Sequence, residues 1–269
     1  MLRDFLDKRK TYVPQAEPTE AGPDLIAVDI SHHQPDVDFD ALYGAGVVGV
    51  ILKCTEGTSY VDDTFHDRYQ AAREAGLSVA SYHFLRHGSA TAQMQWYLDQ
   101  AMPDYGERLV IDYEVDDCTV DDLVQAAEYL LADSRNIQVA VYGASKLTDD
   151  VTRGSEEQQS ILKNTSLWAA RYSSSQPEIC TKVWPYWSMW QFTDNASVPG
   201  IEGGCDGNRF NGDADACLKW FGPAEQPQPA PGPHEYDIVM QVRDGSRLLI
   251  TGEDLTLVVN GELWSRGAS

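Results

Sequence analysis

The feature that most constrains the fold is a repeated alternation of short apolar segments with segments of helical periodicity. The apolar segments predict strands at residues 25–30, 47–52, 77–84, 108–114, 138–142, 166–170 and 187–192. Helical patterns at 63–75, 90–99, 120–131 and 156–163 separate most of them. Strands joined by helical crossovers form parallel sheets, and about 200 residues of such units favour a closed barrel. We therefore predict an α/β barrel, with an open doubly wound sheet as the alternative architecture.

A proline-rich segment divides the chain. Residues 223–234 carry prolines at alternate positions, which predicts an extended, semi-rigid linker. Residues 24–222 then form the barrel domain, and the charged residues 1–23 form an N-terminal arm. Residues 235–269 contain three strand patterns and a final Asn260-Gly261 hairpin, which predict a small β-meander module. A unit this small must pack on the barrel, self-associate or belong to something larger, because it buries little surface.

Charge and hydropathy restrict the partners. The chain has 42 acidic and 20 basic residues, a formal charge of -22, so neither nucleic acid nor an anionic membrane surface is an expected partner. The longest apolar stretch, 47–52, falls far short of the roughly 20 residues that span a bilayer. The beginning, MLRDFLDKRK, lacks the apolar core of a signal peptide. We expect no membrane insertion and no classical secretion.

Five cysteines occur without any CxxC pair, which is not the pattern of a zinc site. A disulfide among Cys180, Cys205 and Cys217 is one interpretation. We favour buried thiols because nothing in the sequence indicates an oxidising compartment.

Carboxylates close several of the predicted strands. Asp112 and Glu114 end the strand at 108–114, Asp29 lies in the first strand, and Asp206 occurs in a late polar segment. Residues at i and i+2 share one face of a strand, about 7 Å apart. Repulsion between them raises at least one pKa, which supplies the acid and base that cleavage of a glycosidic bond requires. Alone, the pair could equally be two surface acids that begin the loop at 115–117.

Histidines near these acids raise a metal hydrolase as an alternative. His32 and His33 are adjacent and therefore point apart on a strand, and no HxH or HxxxH spacing is present. His83 reads as a hydrogen-bonded barrel histidine. We predict no metal and no cofactor.

Several segments, in order, resemble those of glycoside hydrolase family 25, the Chalaropsis-type muramidases. They are Asp29-Ile-Ser-His, Lys53-Cys-Thr-Glu-Gly-Thr58, Tyr82-His-Phe84, Asp112-Tyr-Glu114, Leu167-Trp-Ala with Tyr172, Trp190-Gln191 and Asp206-Gly-Asn208. The resemblance covers residues 25–221. The chain departs from the family pattern at His33, where tryptophan is common, and at Cys205 and Gly207, which suggests a different substrate fit.

This resemblance implies a modified TIM-like β/α barrel with fewer helices, here with a small C-terminal all-β appendage. It implies a lysozyme that hydrolyses the β-1,4 bond between N-acetylmuramic acid and N-acetylglucosamine in bacterial peptidoglycan, with net retention. Glu114 would be the general acid and then the base, and Asp112 would orient the substrate's 2-acetamido group in a substrate-assisted route. Asp29 and Asp206 would hold and polarise that arrangement. The residues alone leave direct attack by Asp112 and inversion open.

Sugar rings bind aromatic platforms, with polar groups at their edges. We predict that the substrate is bound by Tyr82, Tyr142, Tyr172, Trp190 and Gln191. The alternatives are a non-catalytic peptidoglycan-binding barrel and a metal-dependent cell-wall deacetylase. A muramidase without a signal peptide suggests a bacteriophage endolysin, kept in the host cytoplasm until its release to the wall, or an enzyme exported by another route. Residues 235–269 would bind the wall or mediate self-association.

Overall fold

The computed structural model describes residues 25–222 and four short strands further along the chain. Between residues 25 and 222, nine strands form one sheet. They are β1 (Ala27–Ile30), β2 (Gly49–Glu56), β3 (Tyr60–Val61), β4 (Ser78–Phe84), β5 (Arg108–Asp112), β6 (Gln138–Gly143), β7 (Ser166–Ala170), β8 (Met189–Ala196) and β9 (Cys205–Phe210).

The sheet closes on itself because β1 pairs with both β2 and β9. Parallel pairing runs from β1 through β2, β4, β5, β6 and β7 to β8. Strand β9 is antiparallel to both of its neighbours, and β3 is a short antiparallel addition to β2. The predicted barrel is confirmed, and the open doubly wound alternative is wrong.

Helices cover the outside of the barrel. In the described part up to residue 222 they are α1 (Phe39–Gly44), α2 (Phe65–Glu74), α3 (Ala90–Ala101), α4 (Val120–Leu131), α5 (Ser145–Arg153), α6 (Glu156–Leu162) and α7 (Ala214–Phe221). Capping boxes begin α4 at Thr119 and α6 at Ser155, where the side chains satisfy backbone N–H groups of the first turn. None of these helices combines the length and apolarity of a bilayer-spanning segment.

Strand alternation separates two apolar clusters. Val28, Leu52, Leu109 and Ile111 pack outward with the helices. Side chains of the opposite phase fill the barrel interior, and Cys217, Trp220 and Phe221 of α7 join them; the strand members include Ala27, Ile51, Ala80, Val110, Ala140 and Met189.

Helix α7 closes the end of the barrel at which the parallel strands begin. Arg108, the first residue of β5, donates from Nε to the carbonyl of Trp220 at 2.7 Å. At Gly49, the first residue of β2, a Cβ atom would lie 2.5 Å from the Phe221 ring. The opposite end, where the parallel strands finish, is therefore the end at which a site can open.

All five cysteines are free and buried, which confirms the expectation of thiols. Burial keeps the pKa of Cys118 high, at about 11. These residues therefore act as small apolar side chains.

The remaining described strands form two antiparallel hairpins. Strand β10 (Ile238–Gln241) pairs with β11 (Arg247–Ile250), and β12 (Thr256–Val259) pairs with β13 (Glu262–Ser265). Contacts group the chain into two compact units, 1–224 and 225–269. The predicted arm at 1–23 and linker at 223–234 lie outside the described residues, so those boundaries stay predictions.

Candidate active site

The four acids predicted to be catalytic lie at one end of the barrel. Asp29 is near the end of β1, Asp112 is the last residue of β5, and Glu114 follows two residues later. Asp206 is near the beginning of the reversed strand β9 and pairs directly with Asp29 across the ladder. The structure therefore brings together acids from three separate parts of the sequence.

Asp29 is held by two amides. Gln191 Nε2 donates to both Asp29 oxygens at 3.0 and 3.1 Å, and Asn208 Nδ2 donates to Oδ2 at 2.7 Å. Burial nevertheless raises the pKa of Asp29 well above its ordinary range, and the charge of Asp206 raises it further. A protonated Asp29 donates to Asp206, so this pair retains a proton that two isolated aspartates would lose.

Asp112 and Glu114 form the second acidic pair. Asp112 is 5% exposed, whereas Glu114 is exposed to solvent. Burial raises the pKa of Asp112 well above its ordinary range, and the neighbouring Glu114 raises it further through its charge and a hydrogen bond that the protonated Asp112 donates. Asp112 Oδ1 is buried and has no hydrogen-bond partner among residues 25–222. A buried Asp112 that favours its protonated form therefore lies beside an exposed carboxyl group.

Gln191 links the first pair to two of the predicted tyrosines. Its Oε1 accepts from the hydroxyl of Tyr142 at 2.6 Å and from that of Tyr172 at 3.0 Å. Tyr142 is buried, and Tyr172 is 55% exposed. Burial also raises the pKa of Tyr82, with further contributions from Asp112, Asp29 and Asp206, which places its hydroxyl among the acids.

Trp190 does not join this group. It neighbours Gln191 on β8 and therefore points to the other face of the strand. Its indole N–H donates to the carbonyl of Arg171 at 2.8 Å, and the residue is 3% exposed. The other four predicted binding residues, Tyr82, Tyr142, Tyr172 and Gln191, lie at the acidic end of the barrel.

Asn208 and Trp168 were not among the predicted site residues. Trp168 donates from Nε1 to Asn208 Oδ1 at 2.7 Å, which orients the amide so that its nitrogen meets Asp29. The sequence could have indicated Asn208, because a residue two positions after Asp206 lies on the same face of a strand.

The histidines have separate structural partners. His83 is buried between Thr55, at 2.8 Å from Nδ1, and Gln93, at 3.2 Å from Nε2, and burial lowers its pKa to about 4. The prediction of a hydrogen-bonded barrel histidine is confirmed. His32 Nδ1 lies 2.8 Å from Asp62 Oδ2. Among the described residues 25–222, no group of three histidines, cysteines or acids has the arrangement of a metal site.

The model of the glycosyl hydrolases family 25 matches residues 28–201, which contain Asp29, Asp112 and Glu114. The chain belongs to glycosyl hydrolase family 25. Among its curated relatives, this family 25 chain is 30% identical over 193 residues to the autolytic lysozyme of Clostridium acetobutylicum, a match that covers 70% of this chain. The match spans 56% of that relative's length.

Solved structures agree with this assignment. The muramidase from Trichobolus zukalii is 28% identical with a TM-score of 0.61, and the alignment covers 72% of this chain and 97% of that one. The CTP1L endolysin is 26% identical with a TM-score of 0.56, and the alignment covers 68% of this chain and 65% of that one. The family 25 barrel predicted from the sequence is therefore confirmed.

Proposed function

We propose that this family 25 chain is a muramidase that hydrolyses the β-1,4 bond between N-acetylmuramic acid and N-acetylglucosamine in bacterial peptidoglycan. The observation that carries the proposal is the pairing of a buried Asp112, whose pKa is raised by that burial, with an exposed Glu114 at the open end of a family 25 barrel. One group can hold a proton while its neighbour meets the substrate, which is the division of work that acid–base cleavage of a glycoside requires.

The proposed reaction is substrate-assisted. When the 2-acetamido N–H of the muramic acid residue reaches Asp112, a carboxylate there is favoured, and the Asp112 proton passes to Glu114. Glu114 then gives this proton to the leaving glycosidic oxygen while the acetamido oxygen attacks the anomeric carbon. Water next attacks that carbon and loses a proton to Glu114, and the acetamide is restored. Two displacements at the same carbon give net retention.

The second acidic pair has a supporting role in this proposal. Asp29 and Asp206 share a proton next to the reacting pair and provide acceptors for sugar hydroxyls. Tyr82, Tyr142 and Tyr172 line the same end of the barrel, with Gln191 holding two of their hydroxyls. The exposed ring of Tyr172 is suited to pack on a sugar face.

The test compares the full chain with Glu114→Gln on purified peptidoglycan, followed by borohydride reduction and mass spectrometry of the new sugar ends. We expect reduced muramic acid ends from the wild type and none from Glu114→Gln. The matched control is Glu74→Gln, which should behave as the wild type, because this exposed glutamate ends α2 just before β4 begins, at the opposite end of the barrel. Absence of new ends would indicate a binding barrel, and reduced glucosamine ends or released acetate would indicate another hydrolase.

We also propose that residues 235–269 bind the cell wall or mediate self-association, and that the protein is an endolysin acting after release to the wall. The support is the similarity to the CTP1L endolysin and the separate compact unit at 225–269. Sedimentation of the chain with and without residues 234–269, in the presence and absence of purified wall, separates the two roles. Identical sedimentation in all conditions would contradict both.

A further inference from the structure

A cluster of three charged side chains lies beside the acidic site at the ends of β2 and β4. Lys53 Nζ lies 2.7 Å from Glu56 Oε2, and Arg86 donates from Nε and Nη2 to Glu56 Oε1 at 2.9 and 2.6 Å. Both cations lie over the ring of Phe84, whose centroid is 5.2 Å from Lys53 Nζ and 4.6 Å from Arg86 Cζ. We call this group the Lys53–Glu56–Arg86 cluster.

A bulge in β2 creates the cluster. Lys53 pairs with Tyr82 and Thr55 pairs with His83, so Cys54 is an extra residue on β2. Residues three apart on a regular strand point to opposite faces. The extra residue turns Lys53 and Glu56 to the same face.

The same register places the cluster next to the reacting pair. Glu56 pairs with Phe84, and Phe84 pairs with Asp112 on the next strand. These three residues therefore form one row across β2, β4 and β5, at the end of the barrel that holds the acids. Lys53 is close enough for its charge to oppose the rise in the pKa of Asp112.

The cluster carries two positive charges and one negative charge, in contrast to the four acids beside it. Glu56 therefore leaves one positive charge uncompensated within the cluster. The Arg86 side chain is 48% exposed, and Glu56 occupies its Nε and Nη2 groups. The rest of its guanidinium faces solvent, where its planar donors suit a carboxylate.

We propose that the Lys53–Glu56–Arg86 cluster binds a carboxylate on the side arm of the muramic acid residue and gives the site its preference for charged glycan strands. The inference rests on the proposed function and adds the part of the substrate that is recognised. The carboxylate is either that of the lactyl group or one of the attached peptide. Neutral N-acetylglucosamine lacks both, so the cluster distinguishes the two alternating sugars by charge.

The experiment measures kcat/KM of the full chain, from new reducing ends, on four soluble substrates. These are peptide-bearing and amidase-treated, peptide-free glycan strands, each before and after carbodiimide amidation of the carboxylates. The variants are Arg86→Gln, Arg86→Lys and the control Arg135→Gln. Arg135 is a matched control because it binds Asp133 through Nε and Nη2 at 2.8 Å each, is partly exposed, and lies before β6 at the opposite end of the barrel.

We expect the wild type to prefer charged over amidated strands. In Arg86→Gln that ratio should fall roughly 5-fold, the size expected for a partly exposed charge pair. Arg135→Gln should keep the ratio, and Arg86→Lys, which keeps the charge but loses the planar donors, should lower it less than Arg86→Gln does. A preference only among peptide-bearing strands identifies the peptide carboxylate, and one only among peptide-free strands identifies the lactyl carboxylate; either supports the inference.

An unchanged ratio in Arg86→Gln, or a wild type without any charge preference, would overturn the inference while leaving the muramidase in place. An equal fall in rate on charged and amidated strands would also overturn it, because that result is expected of a purely structural residue. No cleavage of any of the four substrates would overturn the proposed function and this inference together.

Discussion

Glu107, just before β5, makes the stability of the barrel depend on pH. It is 7% exposed; Oε2 accepts from the Tyr69 hydroxyl at 3.0 Å and from the Asp104 amide at 2.9 Å. Its other oxygen is buried without a hydrogen-bond partner among residues 25–222. Burial raises its pKa from 4.5 to about 7, although these hydrogen bonds and the charge of Arg73 oppose the rise.

Because folding raises the pKa of Glu107, a proton on this carboxyl stabilises the folded state. The folded state holds a proton on Glu107 up to about pH 7, while the unfolded chain releases it near pH 4.5. The stabilisation is therefore complete below pH 4.5 and is lost as the pH rises through 7. A pKa difference of this size corresponds to about 3 kcal/mol in the free energy of unfolding.

Glu107→Gln tests this reasoning, because glutamine copies the protonated acid and keeps an acceptor for Tyr69 and the Asp104 amide. Urea unfolding at pH 5 and pH 8 should show that the variant loses about 2.5 kcal/mol less than the wild type over this interval. Glu202→Gln, an exposed glutamate, should lose as much as the wild type. Equal losses in wild type and Glu107→Gln would refute the assignment of the pH dependence to this carboxyl.

Three further outcomes are expected. Gln191→Leu removes both hydrogen bonds that Nε2 donates to Asp29 and the acceptor of the Tyr142 hydroxyl, so kcat/KM on peptidoglycan should fall roughly 10- to 100-fold; a fall of less than 2-fold would contradict the role of this amide. Asp206→Asn removes a neighbouring charge, so the pKa of Asp29, followed by carboxyl NMR titration, should decrease. Thr119→Ala removes the capping box of α4 and should cost about 1 kcal/mol in urea unfolding; an unchanged midpoint and slope would count against it.

The order of the strands and the closeness of Asp112 to Glu114 could be predicted because both depend on local periodicity. The strand at 108–112 is an uninterrupted buried segment, and acids two residues apart at its end share a face in any regular strand. The grouping of Asp29 with Asp206 depends on closure of the barrel, which follows from the number of strands rather than from either residue. The grouping of Asp29 with Asp206 was therefore predicted from the resemblance to the family.

Strand β9 escaped prediction because its inward side chains serve the site. Its sequence, CDGNRF, has no apolar run, since Asp206 and Asn208 occupy positions that a buried strand usually gives to apolar residues. Helix α7 was also not predicted. It is short, and its apolar residues pack against the interior of the barrel, which exists only once the barrel has closed.

The alternation of side chains along a strand could have shown that Trp190 and Gln191 do not both face the substrate, because neighbouring residues point to opposite faces. The bulge at Cys54 could not have been anticipated, since Lys53-Cys54-Thr55 contains neither the glycine nor the proline that signals an irregular strand. On a regular strand Lys53 and Glu56 would lie on opposite faces, whereas the structure joins them at 2.7 Å.

The hydroxyls of Tyr142 and Tyr172 both donate to Gln191, so the directions of their hydrogen bonds are fixed. Tyr142 and Tyr172 each have one hydroxyl proton, and both protons point to the same amide oxygen. Towards anything that enters the barrel mouth, these tyrosines therefore present lone pairs only. Together with the carboxylates, they make this part of the mouth a surface of acceptors, which selects for the donor groups of a ligand, such as sugar hydroxyls and amide N–H groups, and against its carbonyl oxygens.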